Sequence, residues 1–229
     1  MKIRTVLNIC LTTCCLTLSA QEYKYEIGGA AGTSFYMGDA NKTALFRDTR
    51  LAAGAVFRYN RNFRWAYKAG LTVGGVSGST VTSGNVFPNG AQASFSRTFI
   101  ELGGQVEYNF FSYSDKYAYL GTRKFSPYLF TGLGITAATG NKTFFGLNLP
   151  LGAGLKYKIR ERLNIGFEFS VRKLFNDSFD QPEKNGFGLT DPYEIKSSFL
   201  KNKDWYSLAM FSITWDFGMR KDPCLNGAP

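Results

Sequence analysis

Apolar and polar residues alternate with a period of two along most of this chain, in about eight runs of roughly ten residues each. The runs cover residues 23–36, 50–59, 63–76, 98–111, 125–138, 146–159, 163–175 and 204–218. Each predicts a β-strand with one apolar and one polar face. In the third, Phe63, Trp65, Tyr67, Ala69, Leu71 and Val73 oppose Arg64, Ala66, Lys68, Gly70 and Thr72. In the fourth, Ile100, Leu102, Val106, Tyr108 and Phe110 oppose Glu101, Gln105, Glu107 and Asn109. In the sixth, Leu147, Leu149, Leu151, Ala153, Leu155, Tyr157 and Ile159 oppose Asn148, Lys156, Lys158 and Arg160. In the seventh, Leu163, Ile165, Phe167, Phe169 and Val171 oppose Asn164, Glu168, Ser170 and Arg172.

The connections fall into two kinds. Residues 60–62 and 160–162 are tight hairpins, whereas 38–49, 77–97, 139–145 and 176–203 are longer loops. Short and long connections alternate, as in an outer-membrane barrel with short periplasmic turns and long outer loops. The connection at 112–124 is long for its side. Both ends of an even-stranded barrel lie on the turn side, which makes the C-terminus periplasmic.

Period-two alternation suits a soluble β-sandwich as well, with the apolar faces turned inward. Aromatic placement favours the membrane. Phe57, Tyr59, Phe63, Trp65, Tyr108, Phe110, Tyr157, Trp215 and Phe217 all fall beside short connections, where a girdle of amphipathic rings sits at a membrane interface. Phe35, Tyr36, Phe144, Phe145, Phe175 and Trp205 flank the long loops. The fold expected is all-β: a transmembrane antiparallel up-and-down β-barrel of about eight strands over residues 21–218.

Residues 1–20 read as a cleaved signal peptide. Lys2 and Arg4 precede a short apolar run, and Leu18-Ser19-Ala20 supplies small residues for cleavage. Three of the four cysteines, Cys10, Cys14 and Cys15, lie in that segment. None follows Gly, Ala or Ser as lipidation requires. Only Cys224 remains, in a periplasmic tail at 219–229. An unpaired cysteine in an exported chain points to an intermolecular disulfide with a periplasmic subunit, to a homodimer, or to an inert thiol.

Removing the two basic residues of the signal from the formal +10 leaves a net charge of +8. Lipid phosphates or acidic protein surfaces fit such a balance in an exported barrel better than nucleic acid does. Arg58, Arg61 and Arg64, then Lys116, Arg123 and Lys124, then Lys158, Arg160 and Arg162, then Arg220 and Lys221, crowd the periplasmic turns and tail. Arg61, Arg123, Lys124, Arg160, Arg162, Arg220 and Lys221 form the expected docking surface. Its two readings are capture of an acidic partner and contact with phosphate headgroups.

The inward faces carry charges of both signs. Lys24, Arg58, Arg64, Lys68, Lys156, Lys158 and Arg172 meet Glu26, Glu101, Glu107, Glu168 and Asp216. Eight strands leave an interior just wide enough for side chains, and buried charge persists there only if paired. The core of the network is Glu101, Glu107, Lys156, Lys158, Glu168 and Arg172, with Lys156 and Lys158 as expected partners of Glu168. It reads as a cross-linked plug, with a narrow selective channel as the alternative.

The chain has no histidine, which excludes a Ser-His-acid nucleophile and His-ligated metal. Glu101 and Glu107 stand about 20 Å apart along their strand, too far for paired acid–base work. Gly132-Leu133-Gly134 precedes no helix and is not a phosphate loop. No catalytic activity, cofactor, metal or small-molecule substrate is expected.

One stretch narrows the choice further. Leu151-Gly152-Ala153-Gly154-Leu155-Lys156-Tyr157 is followed by Arg162-Leu163-Asn164-Ile165-Gly166-Phe167-Glu168, Arg172 and Phe175-Asn176-Asp177. Together with Gly38-Asp39 and Lys203-Asp204-Trp205-Tyr206, this resembles a family of Bacteroidota outer-membrane barrels that includes the PorG component of the type IX secretion system. The resemblance extends over nearly all of the mature chain. It implies a non-enzymatic outer-membrane anchor for a periplasmic ring built from a lipoprotein and its soluble partner (PorK/PorN-like), with protein export passing through a separate, larger barrel. A stand-alone surface barrel for adhesion and a small-solute channel are the competing functions.

Overall fold

The computed structural model describes residues 23–37, 48–79, 94–114, 121–140, 143–175 and 205–219. They form eight antiparallel strands in a closed barrel in which each strand pairs with its chain neighbours and the last pairs with the first. The strands are β1 (Tyr23–Met37), β2 (Arg50–Asn60), β3 (Trp65–Ser79), β4 (Ser94–Asn109), β5 (Phe125–Thr139), β6 (Phe144–Arg160), β7 (Leu163–Leu174) and β8 (Trp205–Met219). Tyr23 faces Met219 where β1 closes on β8. Closure leaves no sheet edge, the condition a strand protein must meet to sit in hydrocarbon.

Side-chain period fixes which face looks outward. Leu102, Leu133, Leu147, Leu155, Phe211 and Ile213 are exposed, Leu133 by 65% and Ile213 by 61%. Their polar neighbours along each strand are buried. This is the inverse of a sandwich and is the arrangement that hydrocarbon favours. Phe57, Trp65, Phe110, Tyr157, Trp215 and Phe217 are exposed at the turn end, where the alternation places an aromatic girdle. At the loop end the rings divide differently from the sequence expectation. Tyr36 and Phe144 are buried in the interior and belong to its apolar cluster, while Phe145 is exposed.

The turn at the β2–β3 junction is held by Asn62, whose Oδ1 accepts the N–H of Arg64 at 3.0 Å and of Trp65 at 2.7 Å. Strand β3 therefore starts one residue after Arg64, which is exposed rather than inward as its position in the alternation implied. Arg160 is likewise exposed, beside a register shift between Lys158 and Arg160.

The long connection after β4 has a structural use. Its Tyr113 is 5% exposed and donates to Asn164 Oδ1 at 2.9 Å, so the turn folds back under the barrel mouth. Backbone bonds from Tyr113 to Phe63 and between Ser114 and Arg123 hold it there.

Candidate functional site

The interior is filled in layers. Nearest the turn end, Lys158 Nζ meets Asp216 Oδ2 at 2.5 Å, and Asn164 donates to Asp216 Oδ1 at 2.6 Å. Arg162 lies over the Tyr23 ring and donates from Nε to its hydroxyl at 2.7 Å. With Tyr113, these groups cap the mouth.

The next layer is an ionic network assembled from six strands. Arg58 of β2 reaches Glu26 of β1 through Nη1 and Glu107 of β4 through Nε, the latter at 2.8 Å. Lys156 of β6 donates to the same Glu107 oxygen at 2.5 Å. Lys68 of β3 crosses to Glu168 of β7 at 2.5 Å, and Tyr128 of β5 donates to Glu168 at 2.6 Å. Thr214 and Asn60 complete the shell of Glu26. Three cations and three carboxylates thus neutralise one another, as buried charge requires; Glu107 Oε1 accepts no hydrogen bond and faces Lys68 Nζ at 3.7 Å.

Two glycines make room for this layer. Tyr128 and Phe130 lie across β6 from within, opposite Gly154 and Gly152. A Cβ on Gly154 would stand 2.5 Å from the Tyr128 ring, and one on Gly152 would stand 2.5 Å from that of Phe130. The Tyr128 ring is in turn capped by Lys156 at 4.4 Å.

Above the network, Arg172 Nε meets Glu101 Oε2 at 3.1 Å. Tyr206 donates to the same carboxylate and is bonded to Thr136 at 2.8 Å. The loop-end layer is apolar, containing Tyr36, Val76, Phe95, Phe99, Phe144, Leu174, Leu208 and Met210. Tyr36 and Phe95 pack edge to face with centroids 4.9 Å apart, and Phe99 packs on Tyr206 at 5.2 Å.

Each site residue read from the sequence can now be placed. Glu107, Lys156 and Glu168 fall in the central layer, Lys158 in the cap, and Glu101 with Arg172 above. Glu101 and Glu107 belong to different layers: Arg172 and Tyr206 serve the first, and Arg58, Lys156 and Lys68 the second. The expected pairing of Glu168 with Lys156 and Lys158 is corrected: Lys156 serves Glu107, Lys158 serves Asp216, and the cations on Glu168 are Lys68 of β3 at 2.5 Å and Arg58 of β2 at 3.6 Å. Neighbouring strands present those lysines at the wrong depth, while strand tilt carries Lys68 across the lumen to the right one. The sequence reading missed the apolar layer and the mouth-closing tyrosines. Phe95 and Phe99, which share the inward face of Arg97 and Glu101, were the available signal.

At the rim, Arg61, Arg64, Arg123, Lys124, Arg160 and Arg162 are exposed, with Glu161 as the one exposed acid among the described turn residues. Two guanidiniums lie on rings: Arg123 over Phe111 at 4.6 Å and Arg162 over Tyr23 at 4.8 Å. Arg220, Lys221, Cys224 and the segment 1–20 lie outside the described residues.

No curated protein matches the chain. Among solved structures it is similar to Neisserial surface protein A, with a TM-score of 0.50 and 13% identity over 84% of this chain and 97% of that one. It is also similar to the attachment invasion locus protein Ail of Yersinia pestis, with a TM-score of 0.45 and 13% identity over 86% of this chain and 99% of that one. For the outer membrane protein OprG of Pseudomonas aeruginosa the TM-score is 0.42, with 12% identity over 86% of this chain and 97% of that one. At 13% identity, the likeness to the Neisserial protein carries the fold alone, that of an eight-stranded outer-membrane barrel. A family model described as a domain of unknown function, DUF6089, matches residues 4–227, and the chain belongs to that family.

Proposed function

We propose that this protein is a non-conducting outer-membrane anchor, a PorG-like structural component of a type IX secretion machine that holds a periplasmic ring to the membrane. The observation that carries this reading is the filling of the lumen at every level, from the Tyr113 cap through the Arg58 network to the apolar loop-end layer. A barrel whose lumen is filled among the described residues acts through its ends and its wall. The turn end, periplasmic by strand parity, carries the exposed bases Arg61, Arg123, Lys124, Arg160 and Arg162. Such a predominantly basic surface steers an acidic partner into contact and speeds its capture. Arg220 and Lys221 extend the charge along the chain, and Cys224 offers a disulfide to a periplasmic subunit in an oxidising compartment.

The test is a deletion strain together with affinity purification of the full chain from its native membranes. The anchor reading expects loss of protein export on deletion and recovery of a periplasmic lipoprotein with its soluble partner. Intact export and recovery of the barrel alone would contradict it.

A further inference from the structure

The wall of the barrel is not uniformly convex. A shallow, open groove of about 800 Å³ crosses the strands from Trp65 of β3 to Trp205 of β8. Thr131, Ala153, Leu129, Leu151 and Val106 line it. All five point outward, into the zone that the exposed apolar belt assigns to hydrocarbon. At the turn end the groove is closed by Trp65 and Tyr108, whose rings pack at 5.0 Å.

Immediately behind that pair stands a cation. Arg64 is exposed, and its Nη1 donates to Tyr108 Oη at 3.4 Å and to the Phe110 carbonyl at 3.1 Å. Both bonds come from Nη1, so Nε and Nη2 remain for an anion, and a guanidinium fork matches phosphate geometry. At the far end, Lys173 over Trp205 is buried. Among the described residues at the two ends of the groove, the accessible charge is Arg64 at the turn end.

We propose that this groove and Arg64 form a binding site for one anionic phospholipid of the leaflet at the turn end. Its phosphate sits on Arg64, its ester region lies at the level of Trp65 and Tyr108, and an acyl chain lies over Thr131 and Ala153. Charge complementarity selects the lipid over a second barrel: an identical copy would bring the same exposed arginine to the same place. Interfacial tryptophan and tyrosine beside a basic residue suit a headgroup boundary.

The experiment is native mass spectrometry of the mature protein released from nanodiscs of mixed phosphatidylglycerol and phosphatidylcholine. The variants are Arg64→Gln, Ala153→Trp to fill the groove, and, as a control, Ile213→Trp, an exposed position on β8 that does not line it. Heat-modifiable migration on gels confirms that each is folded. The expected result is one retained phosphatidylglycerol per wild-type and Ile213→Trp barrel. Retention falls about tenfold in Arg64→Gln, the loss of a charge-assisted phosphate contact, and the lipid is displaced in Ala153→Trp. Equal retention in all four proteins, loss of headgroup preference in the wild type, or a dimer in place of the adduct would each overturn the proposal.

Discussion

Lys68 and Glu168 stand one hundred positions apart in the chain, and their Nζ and Oε2 atoms meet at 2.5 Å across the lumen. The pair joins opposite walls, β3 and β7, which share no ladder. Glu168 also accepts from Tyr128, so removing its carboxylate takes the acceptor from a buried phenol, leaves Lys68 only its longer contact to Glu107 at 3.7 Å, and leaves three buried cations to two carboxylates.

Glu168→Ala is therefore expected to lower folded stability by about 3–5 kcal/mol, the cost of leaving a buried charge unpaired. The double change Lys68→Met with Glu168→Leu, which replaces both charges by apolar groups, is expected to recover most of that loss. Urea midpoints in detergent micelles check both. An unchanged midpoint in Glu168→Ala would mean that water reaches the site.

Gly154 and Tyr128 form a second dependence. With a Cβ placed 2.5 Å from the ring, Gly154→Ala displaces Tyr128 and, through it, the contacts to Lys156 and Glu168. Overpacking of this kind costs about 1–3 kcal/mol. The loss is expected to shrink when Tyr128→Leu is added. Equal losses in the single and double variants would show that the ring does not set the spacing.

The basic rim carries the docking prediction. Reversing Arg160, Arg162, Arg220 and Lys221 to Glu is expected to reduce recovery of the periplasmic ring while the barrel still inserts and migrates as a folded species. Full recovery with this variant would assign the charge to phosphate headgroups, the competing role for bases beside an aromatic girdle.

Cys224 supplies a covalent prediction. Non-reducing gels of whole membranes are expected to show a higher band that contains a second protein and vanishes with reductant or in Cys224→Ser. A band of barrel and itself alone would indicate a homodimer. A monomer-sized band with export intact in Cys224→Ser would remove the tether.

The strands were readable because one face had to be apolar and the other polar, and because 60–62 and 160–162 are too short for anything but hairpins. The observed elements begin and end within four residues of the alternating runs. The largest shift is at β4, which starts at Ser94 rather than 98 because Phe95 and Phe99 are inward despite being apolar. An inward phenylalanine breaks the rule that inward means polar, so an apolar layer inside a barrel is hidden from a binary pattern. Charge inside was readable, since Glu101, Glu107 and Glu168 each sit opposite an apolar face. Which charges meet was not. Glu168 and Lys68 are brought together by tilt and closure, which single-strand periodicity does not encode. Arg64 was misplaced for a local reason: Asn62 caps the turn and delays the strand by two residues relative to the apolar pattern.

The central claim is that this barrel is closed to solutes and works through its ends and wall. Planar-bilayer recording of the folded wild-type protein tests it most directly. The filled lumen predicts a baseline without unitary steps at either polarity, both in the wild type and in the Lys68→Met, Glu168→Leu variant, which lacks one interior ion pair. Stable, repeatable unitary currents from the wild type would contradict the account and make the interior charges the lining of a pore.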